Sequence, residues 1–364
     1  MAFFAVEILP LTQVSHHPNA DRLDIAQVNG MDFQVVVGRD HYKVGDKVCY
    51  FPLDSLLPTP LVQLLGVKLS GSQQNRVTTV RLRGEVSQGL AVGLPEILAY
   101  LQSQGKAHNL EDLDLLDLTA ALEVTKWEPE AKFCQNGTLL PLPPGQEMFD
   151  IEGADRFTDV AESMLDMSVV ITEKIEGTNW SITKSAEQLW VSQRSNSIQE
   201  DEGKANSYWQ VARDQGLDLL VQQLHEVLSL SIPDITVVLR GELVGPGIQG
   251  NFYNLKKPRV FLFATELISA QQKRRYFGWD TLKSLLGGAL MEHWVPVISE
   301  GKTLREWLGE SSIKEASNGI SLLAPGKLRE GIVIVPEDEG WSQRLGGRLI
   351  LKQRSPNYLA TTGM

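Results

Sequence analysis

Short apolar runs broken by turn signals dominate the first 95 residues, and they leave few folds open. Leu23–Val28, Phe33–Val37, Lys47–Phe51, Val77–Leu82 and Gly89–Val92 read as strands. Pro18-Asn19, Asn29-Gly30, Val44-Gly45-Asp46 and Arg83-Gly84 punctuate them. Five short strands in so little chain predict a small β-barrel of the OB type. Leu94–Gln104 reads as a short helix stopped by Gly105.

The chain has 364 residues, so two domains are expected. Residues 106–150 read as a connector. They hold the acidic helix Glu111–Leu122, then Glu128-Pro129-Glu130 and Pro141-Leu142-Pro143-Pro144-Gly145. From Ala154 the pattern changes. A helix over Asp155–Leu165 precedes the strand Val169–Lys174 and a hairpin, Trp180–Thr183 with Leu189–Gln193. Ala205–Leu230 reads as helical, with a break at Gly216. Strands recur at Thr236–Leu243, Val260–Leu267, Gly331–Val335 and Arg348–Leu351. The second domain, residues 151–364, is therefore α+β with mostly antiparallel strands.

Net charge is −11, but it is unevenly placed. Residues 106–162 carry 4 basic and 13 acidic side chains, which accounts for −9. Both flanks are near neutral, so the total does not exclude a local basic groove for nucleic acid. No apolar run approaches the roughly 20 residues of a membrane helix. The start, MAFFAVEILP, lacks a basic segment, and Glu7 interrupts its apolar stretch, so no secretory signal is expected. Cys49 and Cys134 form no CxxC pair, and the six histidines show no HExxH. A reducing, cytoplasmic setting is expected.

Five segments of the second domain stand out, and three of their strands set charges within apolar sequence. They are Glu173-Lys174-Ile175-Glu176-Gly177-Thr178-Asn179, Ser192-Gln193-Arg194-Ser195, Arg240-Gly241-Glu242-Leu243, Arg329-Glu330-Gly331-Ile332-Val333-Ile334 and Leu349-Ile350-Leu351-Lys352-Gln353-Arg354. A lysine before a turn is commonplace, and each carboxylate alone reads as a strand-edge residue. Together they are harder to dismiss. Charged groups in apolar strands are costly unless paired or functional, and alternation puts Lys352 and Arg354 on one face.

In order, these segments resemble motifs I, Ia, III, IV and V of the lysine nucleotidyltransferases, which include RNA ligases, DNA ligases and capping enzymes. The nearest likeness is to the ATP-dependent RNA ligases of the RNA ligase 2-like group. Within it, the likeness is to the Deinococcus and Naegleria branch, which has an N-terminal OB domain. Glu176 stands where phage-type members have histidine. The chain ends ten residues after Arg354, so no domain is expected beyond motif V. Motif V usually closes on lysine; here Arg354 keeps the charge but cannot give up a proton.

The resemblance implies sealing of 3′-OH/5′-phosphate breaks, through lysyl-AMP on Lys174 and an adenylylated 5′-phosphate, in RNA repair. Lys174, Lys352 and Arg354 would be catalytic. Glu173, Asn179, Arg194, Glu242, Phe263, Lys352 and Arg354 would bind ATP or AMP, with Phe261 a rival to Phe263 because strand alternation gives both one face. Glu330, Glu176 and Glu242 would hold Mg²⁺ or Mn²⁺. The implied partners are ATP and RNA or an RNA-containing nicked duplex, with no membrane and no obligate protein partner. DNA ligase, capping enzyme and non-catalytic RNA-binding protein stay open as alternatives.

His17-Pro18-Asn19-Ala20-Asp21-Arg22-Leu23 resembles the opening of tRNA-binding OB domains. Arg81 and Arg83 form a basic strand face, and Tyr42, Tyr50 and Phe51 offer stacking surfaces. The OB-like domain, residues 1–105, is thus expected to bind RNA, with a purely structural barrel as the alternative.

Overall fold

The computed structural model describes residues 4–107, 109–127, 137–200 and 206–362; Cys134, Glu128-Pro129-Glu130 and Ala205 lie outside them. The described residues form two units. One comprises residues 4–127 with Asp155–Asp159, the other residues 137–154 and 160–362.

The N-terminal unit is built on five antiparallel strands. Their order across the sheet is Gln34–Gly38, Leu23–Val28, Glu7–His16, Lys47–Phe51 and Leu90–Gly93. Burial alternates along Leu23–Val28, as a half-buried strand requires. The sheet curls until its two ends nearly meet. The Gln88 N–H donates to the Gln34 carbonyl at 3.0 Å, and the Val36 N–H to Ser87 Oγ at 2.9 Å. The strand Glu7–His16 is absent from the sequence reading because Pro10 interrupts it. The proline sits at a corner: Glu7–Pro10 pair with Lys47–Tyr50, and Leu11–His16 pair with Asp24–Val28. A residue without an N–H is tolerated where the ladder changes partner.

The stretch read as a connector is divided between the units. Leu110–Leu113 and Leu118–Ala121 are single helical turns rather than one helix, and Leu113, Leu118 and Leu122 join the apolar core around the helix Leu94–Ser103. Residues 137–154 belong to the C-terminal unit. Tyr50 and Phe51, expected to offer stacking surfaces, are instead fully buried, and Tyr50 donates to the Gln88 carbonyl.

The C-terminal unit holds two sheets. In the first, the central strands are Leu189–Ser192, Thr178–Lys184, Thr236–Val244 and Arg259–Ile268. In the second, the order is Glu152–Gly153, Leu351–Arg354, Gly331–Pro336, Ser168–Lys174 and Val297–Thr303. All its pairs are antiparallel except Glu152–Gly153 with Leu351–Arg354. The strand expected at Arg348–Leu351 is instead Leu351–Arg354, and Arg348 belongs to the separate strand Gly347–Arg348. The helices Ser207–Asp214 and Leu217–Ser229 part at Gly216, whose φ of 66° is left-handed. Their apolar faces pack with Trp180, Ile182, Leu239 and Leu262.

Candidate active site

One strand delivers the lysine. Ser168–Lys174 runs along the second sheet, buried up to Glu173. The chain then turns at Ile175–Gly177 and enters the first sheet as Thr178–Lys184. Gly177 is required there: a Cβ would lie 2.5 Å from the Leu243 carbonyl oxygen. Lys174 thus sits where the ribbon passes between sheets.

The neighbouring strands bring in the rest. Lys174 pairs with Gly331, Gly331 with Arg354, and Val333 with Lys352. On the first sheet Asn179 lies directly opposite Glu242. A pocket lined by Glu173, Lys174, Asn179, Glu242, Phe263 and Lys352 results, with Trp279, Trp294 and Val333 among its apolar walls.

Glu330 anchors the cations. Its Oε2 accepts from Lys174 Nζ at 2.9 Å, and Arg354 Nε lies 3.6 Å from Oε1. Glu330 is 8% exposed, so little water competes. Its position is fixed by Arg329, whose guanidinium donates to the carbonyls of Ala316, Ser317 and Asn318 at 2.6–2.9 Å. Lys352 and Arg354 are half-buried while Leu351 and Gln353 are buried, as alternation demands.

The electrostatics are strained. Burial pushes the Glu242 carboxyl up to about 7, helped by the charge of Glu330 and opposed by Lys174 and Lys352. Burial, then the charge of Lys174, pushes Lys352 down. Glu173 is raised by burial; its Oε2 accepts the Leu322 N–H at 2.7 Å, while Oε1 has no partner among the described residues. Its backbone N–H is already given to the Pro296 carbonyl.

Other predicted residues lie at one remove. Arg194 grips Asp150, with Nε to Oδ1 at 3.2 Å and Nη2 to Oδ2 at 2.9 Å, and Asp150 lines the pocket. Glu176 accepts from the Tyr358 hydroxyl and gives its N–H to Tyr253 Oη at 2.8 Å. Phe263 lines the pocket and meets Phe149, with ring centroids 5.3 Å apart. Phe261 instead packs in the core. The alternation argument that made them equivalent fails at a bulge: Arg240 pairs with Ala264 and Gly241 with Leu262, leaving Phe263 extra. Phe149 and Asp150 escaped the sequence reading because they follow a proline-rich segment that reads as linker. Arg81 and Arg83 are exposed on the N-terminal unit.

Glu176, Glu242 and Glu330 do not form a three-carboxylate cage. Among the described residues the group of three metal-capable side chains within 4.8 Å is His16, Asp24 and Asp40, in the N-terminal unit. The donor set still fits a hard divalent cation held by one or two carboxylates and water. The charge of Glu330 helps push the Glu242 carboxyl up, a repulsion that a cation between them would relieve.

A family model described as RNA ligase matches residues 167–353, more than half of the chain. The chain belongs to the RNA ligase family. As an RNA ligase it is an enzyme, and an OB-fold domain model matches its residues 5–94. Among solved structures, an RNA ligase mutant of Naegleria gruberi with AMP and Mn is similar at 22% identity and a TM-score of 0.71, covering 99% of both chains. The Naegleria gruberi RNA ligase with PPi matches with a TM-score of 0.70 at 22% identity, again over 99% of both chains. A further mutant of that ligase with ATP and Mn matches at 21% identity over 99% of both, TM-score 0.70. A search of curated protein sequences gives no significant match. The ligase has no helix long and apolar enough to cross a membrane among its described residues.

Proposed function

We propose that the chain is an ATP-dependent RNA ligase that seals 3′-OH/5′-phosphate breaks, including nicks in RNA-containing duplexes, as a repair enzyme of the Naegleria-like branch working in a reducing cytoplasm. One observation carries this reading: Lys174 lines an apolar-walled pocket, bonded to Glu330, with Glu242, Asn179, Phe263 and Lys352 on the same pocket. The Naegleria gruberi ligases of the same fold hold AMP, ATP and Mn.

Lys174 attacks the α-phosphorus of ATP as a free amine. The N–P bond forms as the bridging bond between the α-phosphorus and the β-phosphate oxygen breaks, pyrophosphate carries off that electron pair, and the amine proton passes to solvent. Lys352 and Arg354, two residues apart on one strand, face the developing charge and stabilise it. Phe263 stacks on adenine, Glu173 borders its edge, and Glu242 with Arg194 addresses the ribose. Asn179 orients the phosphate. Glu330 and Glu242 would hold Mg²⁺ or Mn²⁺, with Glu176 reaching its waters; the ion supplies Lewis-acid stabilisation of the phosphates. AMP then passes to the 5′-phosphate strand, and the 3′-OH displaces it. The N-terminal unit docks the RNA.

Incubation with α-labelled ATP tests this. The wild type is expected to take up label, and Lys174→Ala is not. An adduct persisting in Lys174→Ala overturns the assignment. Chasing the adduct onto nicks with ribose or deoxyribose at the 3′-OH end separates RNA from DNA ligase. Removing residues 1–105 is expected to leave adenylylation and abolish sealing.

A further inference from the structure

Between the fourth and fifth barrel strands the N-terminal unit projects a β-hairpin, Val80–Leu82 paired with Glu85–Ser87. This is the connection that OB barrels use to contact oligonucleotides. Arg81, Leu82, Arg83 and Gly84 are all exposed, and Val80 and Leu82 remain 37% and 38% exposed. The hairpin therefore buries little of its own.

Its turn is costly. Arg83 and Gly84 have φ of 49° and 100°, so both central residues are left-handed. Such two-residue turns favour Asn-Gly, and a non-glycine residue there carries strain of about 1–2 kcal/mol. An arginine has been placed where asparagine fits better. Strain of this kind points towards function.

The hairpin is also held from outside. His17 is 4% exposed; its Nε2 lies 3.0 Å from the Leu82 carbonyl oxygen, and its Nδ1 lies 3.0 Å from the Asn19 N–H nitrogen. A carbonyl only accepts and an amide N–H only donates. Both bonds hold in one tautomer, with the proton on Nε2. Asn19 Nδ2 donates to the Arg83 carbonyl at 3.3 Å, and Arg81 Nη1 to the Gly84 carbonyl at 2.8 Å. The hairpin's acid, Glu85, is drawn back to Gln34 Nε2 at 3.1 Å.

We propose that this hairpin is a phosphate-gripping tip for RNA, with Arg81 and Arg83 as the contacts and His17 as the positioning residue that fixes the tip. The proposal rests on the RNA ligase reading and names the contact surface within it. Fixing the tip in advance reduces the ordering cost of binding.

Binding of the full-length protein to a fluorescent nicked RNA duplex, without ATP and in EDTA, across 50–200 mM KCl tests it. Each lost phosphate contact lowers the slope of log K against log salt by about 0.7–0.9. Arg81→Ala/Arg83→Asn is expected to lower it by about 1.4–1.8, with tens-of-fold weaker binding near ~0.1 M salt. Arg83→Asn alone is expected to keep or raise the unfolding midpoint while lowering the slope. His17→Phe is expected to weaken binding although both arginines remain; if it fails to fold, the exposed arginine variants decide. An unchanged slope in the double variant overturns the proposal. So does an equal fall in the charge-matched Lys43→Ala/Lys106→Ala. Wild-type label uptake from ATP is scored separately, so failure of the ligase reading is not mistaken for failure of the tip.

Discussion

Lys174 and Glu330 stand 156 residues apart in sequence, yet Nζ donates to Oε2 at 2.9 Å. Their strands are paired at this point, with Lys174 opposite Gly331. The same carboxylate faces Arg354. Glu330→Ala removes the shared acceptor of two cations. Label uptake from α-labelled ATP, the reaction proposed for Lys174, is expected to slow by about 100-fold or more, the scale of losing one preorganised electrostatic partner. Single-turnover label uptake at saturating ATP measures it.

Gly331 lies against motif V with no room for a side chain. A Cβ would sit 2.1 Å from the Gln353 carbonyl oxygen and 2.9 Å from Arg354 Cα. Gly331→Ala is expected to push that strand outward, at a cost of about 3 kcal/mol. Lys352 and Arg354 move with it, so thermal unfolding and label uptake should fall together.

The bulge separates two phenylalanines that sequence alternation equates. Phe263→Ala is expected to raise the KM for ATP about 10-fold, the equivalent of ~1.4 kcal/mol, with little change in unfolding midpoint. Phe261→Ala should do the reverse. It opens a core cavity worth about 3–5 kcal/mol and leaves the KM of the folded protein near wild type. Denaturant titration alongside steady-state kinetics distinguishes them.

Glu173 gives a pH signature. Folding buries its carboxyl and raises its pKa. The folded state then favours the protonated form. Its ionisation therefore removes stability as pH rises above the unfolded value, about 4.3, through the folded one. Glu173→Gln keeps an acceptor for the Leu322 N–H and cannot ionise. Its midpoint should match wild type near pH ~4 and exceed it at neutral pH, as thermal melts across that range would report.

Much of the site was legible because the chemistry is costly. A lysine at the end of an apolar strand, and cations alternating along another, cannot be placed idly. Short strands with turn residues likewise made the barrel readable. What escaped depends on tertiary pairing. Glu7–His16 hides behind Pro10 because its change of partner leaves no periodic trace. Phe149 and Asp150 look like linker, since nothing local announces that Arg194 will seize the carboxylate. The bulge at Phe263 is invisible to a period-two argument, because an extra residue belongs to the ladder and not to the strand. The hydroxyl of Tyr358 on Glu176 spans 182 residues and has no local signal.

The passage of a single ribbon from one sheet to the other at residues 174–178 has a mechanical consequence. The Lys174 side chain starts at the pivot itself. If the two walls of the pocket swing apart to admit a ligand, they turn about this lysine, which keeps its address while its surroundings change.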